Sequence, residues 1–277
     1  MKFLILGSEG VVGKALCDFF ALNNIEYIPW DIKLGQEYDL RDSSNNSRLI
    51  ECMESVDFVM FMSFDVGGSK YLVGQTIDFI NNNLLIMVNT FSALEKTGKP
   101  FIFASSQMSN MHYCSYGTCK KIGEHYTEHL NGISVQFWNV YGYEEVNAKS
   151  HVVNDFIDMA IKDKKIIMRT DGTEKRQFLY DSDCAEGLYK LALNFNSYKD
   201  TIIHFTLNEW TTIYDTGVLI QTVLKRDYNI EIDIQKGTNK DQSQKIENIP
   251  TNLIKREHWD PKITLEDGIK KLITLAK

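Results

Sequence analysis

Phe3-Leu4-Ile5-Leu6-Gly7-Ser8-Glu9-Gly10-Val11-Val12-Gly13 is the stretch on which the reading of this chain turns. A short apolar run of strand length passes directly into glycines spaced Gly-x-x-Gly-x-x-Gly, and a helical pattern starts inside that spacing, Val11 to Leu22. Glycine there permits a tight turn, close approach of backbone to a pyrophosphate and close helix–strand packing. The helix amino terminus adds free N–H groups and the positive end of its dipole. Glycine-rich turns also serve as plain connectors, so the context matters. Asp31 closes a second strand-length run, Tyr27 to Trp30, a little over twenty residues after Gly7. A carboxylate there can bond the adenosine ribose hydroxyls and repel the extra phosphate of NADP, so NAD is the expected cofactor. Lys33 lies close by, and a surface cap is the bland alternative for Asp31.

Outward from that turn, strand-length runs at Asp57 to Ser63, Phe101 to Ser105 and Ser134 to Phe137 alternate with helical stretches such as Phe79 to Lys96. The rhythm predicts an α/β fold, a parallel sheet covered by helices on both faces with ligands at the carboxyl ends of its strands. After about Gly142 the rhythm loosens. Helices are expected at Asn154 to Lys162, Asp183 to Leu193 and from Leu265, a returning strand at Ile202 to Leu207, and a loop over Gly237 to Asn248.

The 277 residues are 43% hydrophobic and can bury one sizeable core and a second small one. The net charge of −7 is scattered, with no basic cluster, which argues against a nucleic-acid partner. Five cysteines without a Cys-x-x-Cys pair point to reduced thiols in a cytoplasmic protein, and no metal site is expected. No run reaches the roughly 18 apolar residues of a membrane span.

Tyr116 and Lys120 stand at i and i+4 on one helix face. A tyrosine of pKa about 10 needs a neighbouring positive charge to work as acid or base near neutrality, and Lys120 would supply one. The pair alone is common on helix surfaces, but it follows a strand ending in Ser105-Ser106, where an open sheet has its crevice.

These features, with Gly123-Glu124, Asn139-Val140-Tyr141-Gly142, Arg176-Gln177-Phe178 followed by Asp181 and Asp183, and Trp259-Asp260-Pro261, resemble the extended short-chain dehydrogenase/reductases that modify sugar nucleotides. The resemblance implies a Rossmann-type doubly wound NAD-binding domain over 1–150, with 179–207 returning to it, a smaller α/β substrate lobe over 151–178 and 208–277, and a homodimer that acts on a nucleotide-diphosphate sugar carrying UDP, GDP or dTDP. It implies Tyr116 as acid/base, Lys120 lowering its pKa and holding the nicotinamide ribose, and Ser106 on the reacting hydroxyl, with Ser105 as the fallback. Asp39 resembles the adenine contact, beside Gly7, Gly10, Gly13 and Asp31 in the cofactor set. Asn139 resembles a substrate-pocket asparagine and Arg176 the arginine on the substrate pyrophosphate, and Gln107 joins the substrate set. A turn cap for Asp39, a loop tie for Asn139 and a solvated charge for Arg176 are the ordinary alternatives.

Val66-Gly67-Gly68, Phe79-Ile80 with Asn83, and Ser150-His151-Val152 are similar to the branch containing GDP-fucose synthase and GDP-mannose 3,5-epimerase, where His151 matches a histidine acid/base. An ordinary polar residue at a helix start is the alternative. Gln107 stands where that branch has a cysteine, which argues against 3,5-epimerisation, and Gln107-Met108 replaces the acidic pair of the 4,6-dehydratases. The short span from Ser106 to Tyr116 suggests an open pocket. The expected reaction is therefore epimerisation at carbon 4. A sugar-nucleotide 4-dehydrogenase or 4-keto-sugar reductase is the alternative, and a non-catalytic dinucleotide-binding regulator the distant one.

Overall fold

The computed structural model describes residues 1–74, 76–111, 113–241, 250 and 252–276. In chain order its elements are β1 (Phe3–Leu6), α1 (Val11–Leu22), β2 (Tyr27–Trp30), α2 (Asn46–Glu54), β3 (Phe58–Phe61), α3 (Ser69–Val73), α4 (Ile77–Thr97), β4 (Phe101–Ser106), α5 (Ser115–His129), β5 (Ile133–Phe137) and β6 (Asn139–Tyr141). They continue with α6 (Val152–Asp163), β7 (Lys165–Ile167), β8 (Lys175–Tyr180), α7 (Asp181–Leu193), α8 (Phe195–Tyr198), β9 (Ile202–Phe205), β10 (Trp210–Thr212), α9 (Ile213–Tyr228), β11 (Asp233–Gln235) and α10 (Leu265–Ala276).

All four residues of β1 are buried, which is why its sequence is uniformly apolar rather than alternating. Phe3 and Ile5 pack with α1 and α7, while Leu4 and Leu6 face the opposite side, toward α2 and α4. The sheet is parallel throughout, in the order β2-β1-β3-β4-β5-β9. The chain leaves β1 to one side for β2 and returns on the other for β3, so the strand order reverses at β1. That reversal opens the crevice in which this class of sheet binds ligands. Leu6 pairs with both Trp30 and Phe61, so Gly7, Asp31 and Met62 emerge at one level.

A second core of Val153, Phe156, Ile166, Phe178, Ile220 and Leu272, among others, unites α6, α9 and α10 with β8. Two short sheets border it, β10-β8-β6 and β11-β7. Two segments sit across the boundary expected from sequence. Asn139–Tyr141 leaves the main sheet and pairs with β8, and Trp259 stacks on Phe205 of the main sheet at 5.0 Å and 13°. The helix α9 was not anticipated, nor were the three-residue strands. Of the expected loop over Gly237 to Asn248, residues 242–248 lie outside the described residues. Among the described residues no helix is long and apolar enough to cross a membrane, and no cluster of three or more His, Cys, Asp or Glu could hold a metal.

Trp259 is 6% exposed and fills the space between Gly187 of α7 and Phe205, so Trp259→Ala should cost about 3–5 kcal/mol of stability. Its indole N–H finds no partner among the described residues, so Trp259→Phe should lose less. Denaturant unfolding of both variants checks the order.

Candidate functional site

One cleft of about 650 Å³ runs from the turn after β1 across the ends of β3 and β4 to α6. At its first end Gly7 has φ +86°, and a Cβ there would lie 2.7 Å from the backbone nitrogen of Ser63. A Cβ on Gly13 would overlap the carbonyl oxygen of Gly7. Both positions are closed to side chains by the fold itself. Gly10 differs, since its Cβ would meet only that same oxygen at 3.5 Å. Gly10 is the N-cap of α1 and no side chain caps the helix, which leaves its first N–H groups to a ligand.

Asp31 is fixed by two backbone donors, Glu9 N at 3.1 Å and Lys33 N at 3.0 Å, and lines the same cleft. Asp39 also lines it, gripped by Arg41 at 2.9 Å (Nε to Oδ1) and 2.8 Å (Nη2 to Oδ2). The Arg41 hydrogen bonds hold the Asp39 carboxyl below its usual range. Open room over Gly10, an uncapped helix start and a carboxylate at the end of β2 are the features a dinucleotide requires, and NAD fits them.

At the middle of the cleft α5 brings Tyr116 against the end of β4. Its phenol hydrogen-bonds Ser106, whose Oγ also accepts from Met108 N at 3.2 Å. Burial pushes the phenol up to about 12, with the Ser106 bond pulling the other way. Lys120 is 3% exposed, donates to the Ala104 carbonyl at 2.5 Å and lies 3.5 Å from the centre of the Phe64 ring. Burial pushes its ammonium down to about 7, against the carbonyl and the ring face, which both favour the charged form.

Ser105 is committed elsewhere. Its Oγ donates to Glu124 Oε1 at 2.6 Å, and that carboxylate also accepts from Gln136 at 2.7 Å and pairs with Lys121 at 3.1 Å. Gln107 is 1% exposed and does not line the cleft, whose wall here is Met108. The turn over Gln107–Asn110 follows directly from Ser106 and carries the Gln107 side chain inward, so the structure does not bring it to the other site residues.

At the far end Asn139 lines the cleft and donates to the Gln177 carbonyl at 3.1 Å. Arg176 lines it too, paired with Asp241 at 2.5 Å and donating to the Lys175 carbonyl at 2.8 Å. His151 is the N-cap of α6, yet its side chain caps nothing and instead meets Glu144, Nδ1 to Oε1 at 3.0 Å. The loop after β3 backs this corner, with Gly68 N donating to the Lys149 carbonyl at 2.8 Å. Two stretches singled out separately in the sequence, Val66-Gly67-Gly68 and Ser150-His151-Val152, thus meet. Phe64, Glu124 and Glu144 were not picked out as site residues. Glu124 stood in a quoted motif, whereas Glu144 carries no local signal.

Residues 3–203, well over half of the chain, match the model of the NAD dependent epimerase/dehydratase family. The chain is 27% identical to a candidate UDP-glucose 4-epimerase of Methanocaldococcus jannaschii, over 99% of this chain and 98% of that protein. Among solved structures it is similar to Pal from Bacillus thuringiensis, with a TM-score of 0.83, 18% identity and full coverage of both chains. It is also similar to the UDP-glucose 4-epimerase of Thermus thermophilus solved with NAD, with a TM-score of 0.76 and 19% identity over 100% of this chain and 99% of that one.

Two outcomes are expected. Gly10→Ala should fold normally and lose NAD affinity, whereas Gly13→Ala should lose about 1–3 kcal/mol of stability, read by calorimetry and dinucleotide titration. For Lys120, the unfolded chain holds its proton up to about 10.5 and the native protein only to about 7, so stability rises with pH across that window. The unliganded wild type should therefore gain in melting temperature relative to Lys120→Met between pH 7 and 10. Parallel curves would sink this account of the buried lysine.

Proposed function

The chain belongs to the NAD dependent epimerase/dehydratase family, and from that premise we propose that it epimerises a nucleotide-diphosphate sugar at carbon 4. The observation that carries the reading is the Tyr116–Ser106 hydrogen bond beside the buried Lys120, in one cleft with the turn from Gly7 to Gly13. Bound NAD supplies the hydride acceptor and later the donor. Tyr116 takes the proton of the carbon-4 hydroxyl, and Ser106 hydrogen-bonds the same oxygen. Lys120 is the cation that favours the phenolate, and Tyr116 returns the proton once the sugar presents its other face.

Asp31 and Asp39 serve the adenosine half, and residues 1–150 with 179–207 form the cofactor-holding part. Asn139 and Arg176 serve the sugar nucleotide, with Arg176 directed at its phosphates. The remaining segments, 151–178 and 208–277, form the sugar-binding part. His151 is assigned a hydrogen bond to a sugar hydroxyl, since Tyr116 carries the proton that carbon-4 epimerisation moves. The UDP-glucose 4-epimerases among the similar proteins support carbon 4 and a UDP-sugar, with GDP- and dTDP-sugars as the other carriers to be tested. A homodimer through α4 and α5 is proposed because Leu85, Val88 and Tyr126 stay exposed on those helices.

The test is to incubate the purified chain with UDP-, GDP- and dTDP-sugars and follow both the isomer formed and the redox state of the dinucleotide. An isomer without net NADH supports the epimerase, and net oxidation or reduction overturns it in favour of a dehydrogenase or reductase. Tyr116→Phe should lower kcat by about 10²–10⁴-fold with NAD affinity unchanged.

A further inference from the structure

Phe64 stands in the loop after β3, at the middle of the cleft. Its ring centre lies 3.5 Å from Lys120 Nζ and 5.8 Å from the centre of the Tyr116 ring, at an interplanar angle of 81°. The same ammonium donates to the Ala104 carbonyl at 2.5 Å, with the Phe103 and Tyr116 rings farther off, at 5.2 and 5.7 Å. Among the described residues no carboxylate pairs with it. Glu124, four residues along α5, acts on it across space, its oxygens committed to Ser105, Gln136 and Lys121. Cys119, its neighbour on α5, is a thiol that burial keeps neutral.

The residues on either side of Phe64 are held. Ser63 lies against Gly7 so closely that a Cβ on that glycine would come within 2.7 Å of its nitrogen. Asp65 exchanges two hydrogen bonds with the fully buried Asn83 of α4, donating from N to Oδ1 at 2.8 Å and accepting from Nδ2 at its carbonyl at 3.1 Å. The Asp65 carboxylate in turn accepts from Tyr71 at 2.8 Å and Lys149 at 2.6 Å, so it faces other partners than Lys120. The ring is thus carried on backbone fixed at both ends. A buried ammonium with one carbonyl and no carboxylate needs a further source of negative potential, and an aromatic face supplies it most strongly where water is excluded.

We propose that Phe64 is a positioning residue whose ring face keeps the Lys120 ammonium charged beside Tyr116, in the place a carboxylate would otherwise fill. This rests on the reading of Lys120 as the cation that favours the phenolate. A ring suits that task better than a carboxylate, because a carboxylate would repel the phenolate that the cation is there to favour. Once one proton has left the pair, the ring biases the remaining one toward Lys120 and leaves Tyr116 as the base. Weakening the ring face therefore lowers the pH at which Lys120 gives up its proton, about 7 in the free protein, and shrinks the share of molecules that carry the phenolate.

The test replaces Phe64 alone by phenylalanines carrying one, two and three ring fluorines, which drain the ring face in steps with little change of shape. Lys120 is titrated in the full-length chain without dinucleotide by NMR of ¹³C-labelled lysine side chains, its signal identified by its loss in Lys120→Met. The midpoint should fall stepwise, by about 0.5–1 pH unit at three fluorines, and Phe64→Leu should fall at least as far. With UDP-glucose or GDP-mannose, whichever turns over, kcat should fall along the same series, about three- to tenfold at its end, with KM within about twofold. A midpoint that stays fixed along the series means that the ring only packs, and overturns the proposal without any need of substrate. If the midpoint falls stepwise while kcat holds, the reading of Lys120 as the cation that serves Tyr116 is what fails.

Discussion

The approach of three backbones at the end of β1 is the constraint on which the rest depends. Gly7 turns with a positive φ beside Ser63, and Gly13 lies over the Gly7 carbonyl, so β1, β3 and α1 converge more closely than any side chain would allow. That convergence sets the floor of the cleft. It brings Asp31 level with Gly7, and it lets the chain beyond β3 pass over the cleft, where Phe64 covers Lys120 and Gly68 reaches Ser150. The site therefore joins residues as distant in sequence as Gly7 and His151, and it is packing, not any local motif, that assembles them.

Against that floor Tyr116 and Lys120 are both buried. Burial pushes the phenol up to about 12 and the ammonium down to about 7, so without a ligand the two groups favour their neutral forms. Moving the phenol toward neutrality requires positive charge that the protein itself supplies only in part. The Ala104 carbonyl and the faces of Phe64 and Phe103 are the elements that retain a cation there, and all are contributed by β4 or the loop after β3. Ser106 is the side chain hydrogen-bonded to the phenol. Ser105, one residue earlier on the strand, points the other way and ties β4 to α5 through Glu124.

How much of this could be read from sequence follows from how local each signal is. The parallel sheet was legible because β1, β2, β4 and β5 are apolar runs separated by long helical patterns, and the i, i+4 spacing placed Tyr116 and Lys120 correctly on α5. The helix α9 was missed although Thr212 caps Asp215 N at 2.9 Å and Ile213, Thr216, Ile220, Val223 and Leu224 form its buried stripe. The strands β6, β7, β10 and β11 have three residues each, too few to display a period. Gln107 was grouped with the site from its place after the serines, but it is buried and does not line the cleft. Glu144 became visible only through His151, seven positions away across an irregular loop.

Arg176 shows how the far end of the cleft is kept ready. A guanidinium 12% exposed on a cleft wall would be costly to leave unpaired, and Asp241, 65 residues on, answers it at 2.5 Å. The pair orients the planar fork before any ligand arrives, with Nη1 held on the Lys175 carbonyl at 2.8 Å. Nη2 and Nη1 are thus both engaged within the protein. The same logic of a fixed cation against a held carboxylate recurs at Asp39 with Arg41 in the cofactor half. Arg176 and Arg41 are thus each held on a carboxylate of the protein.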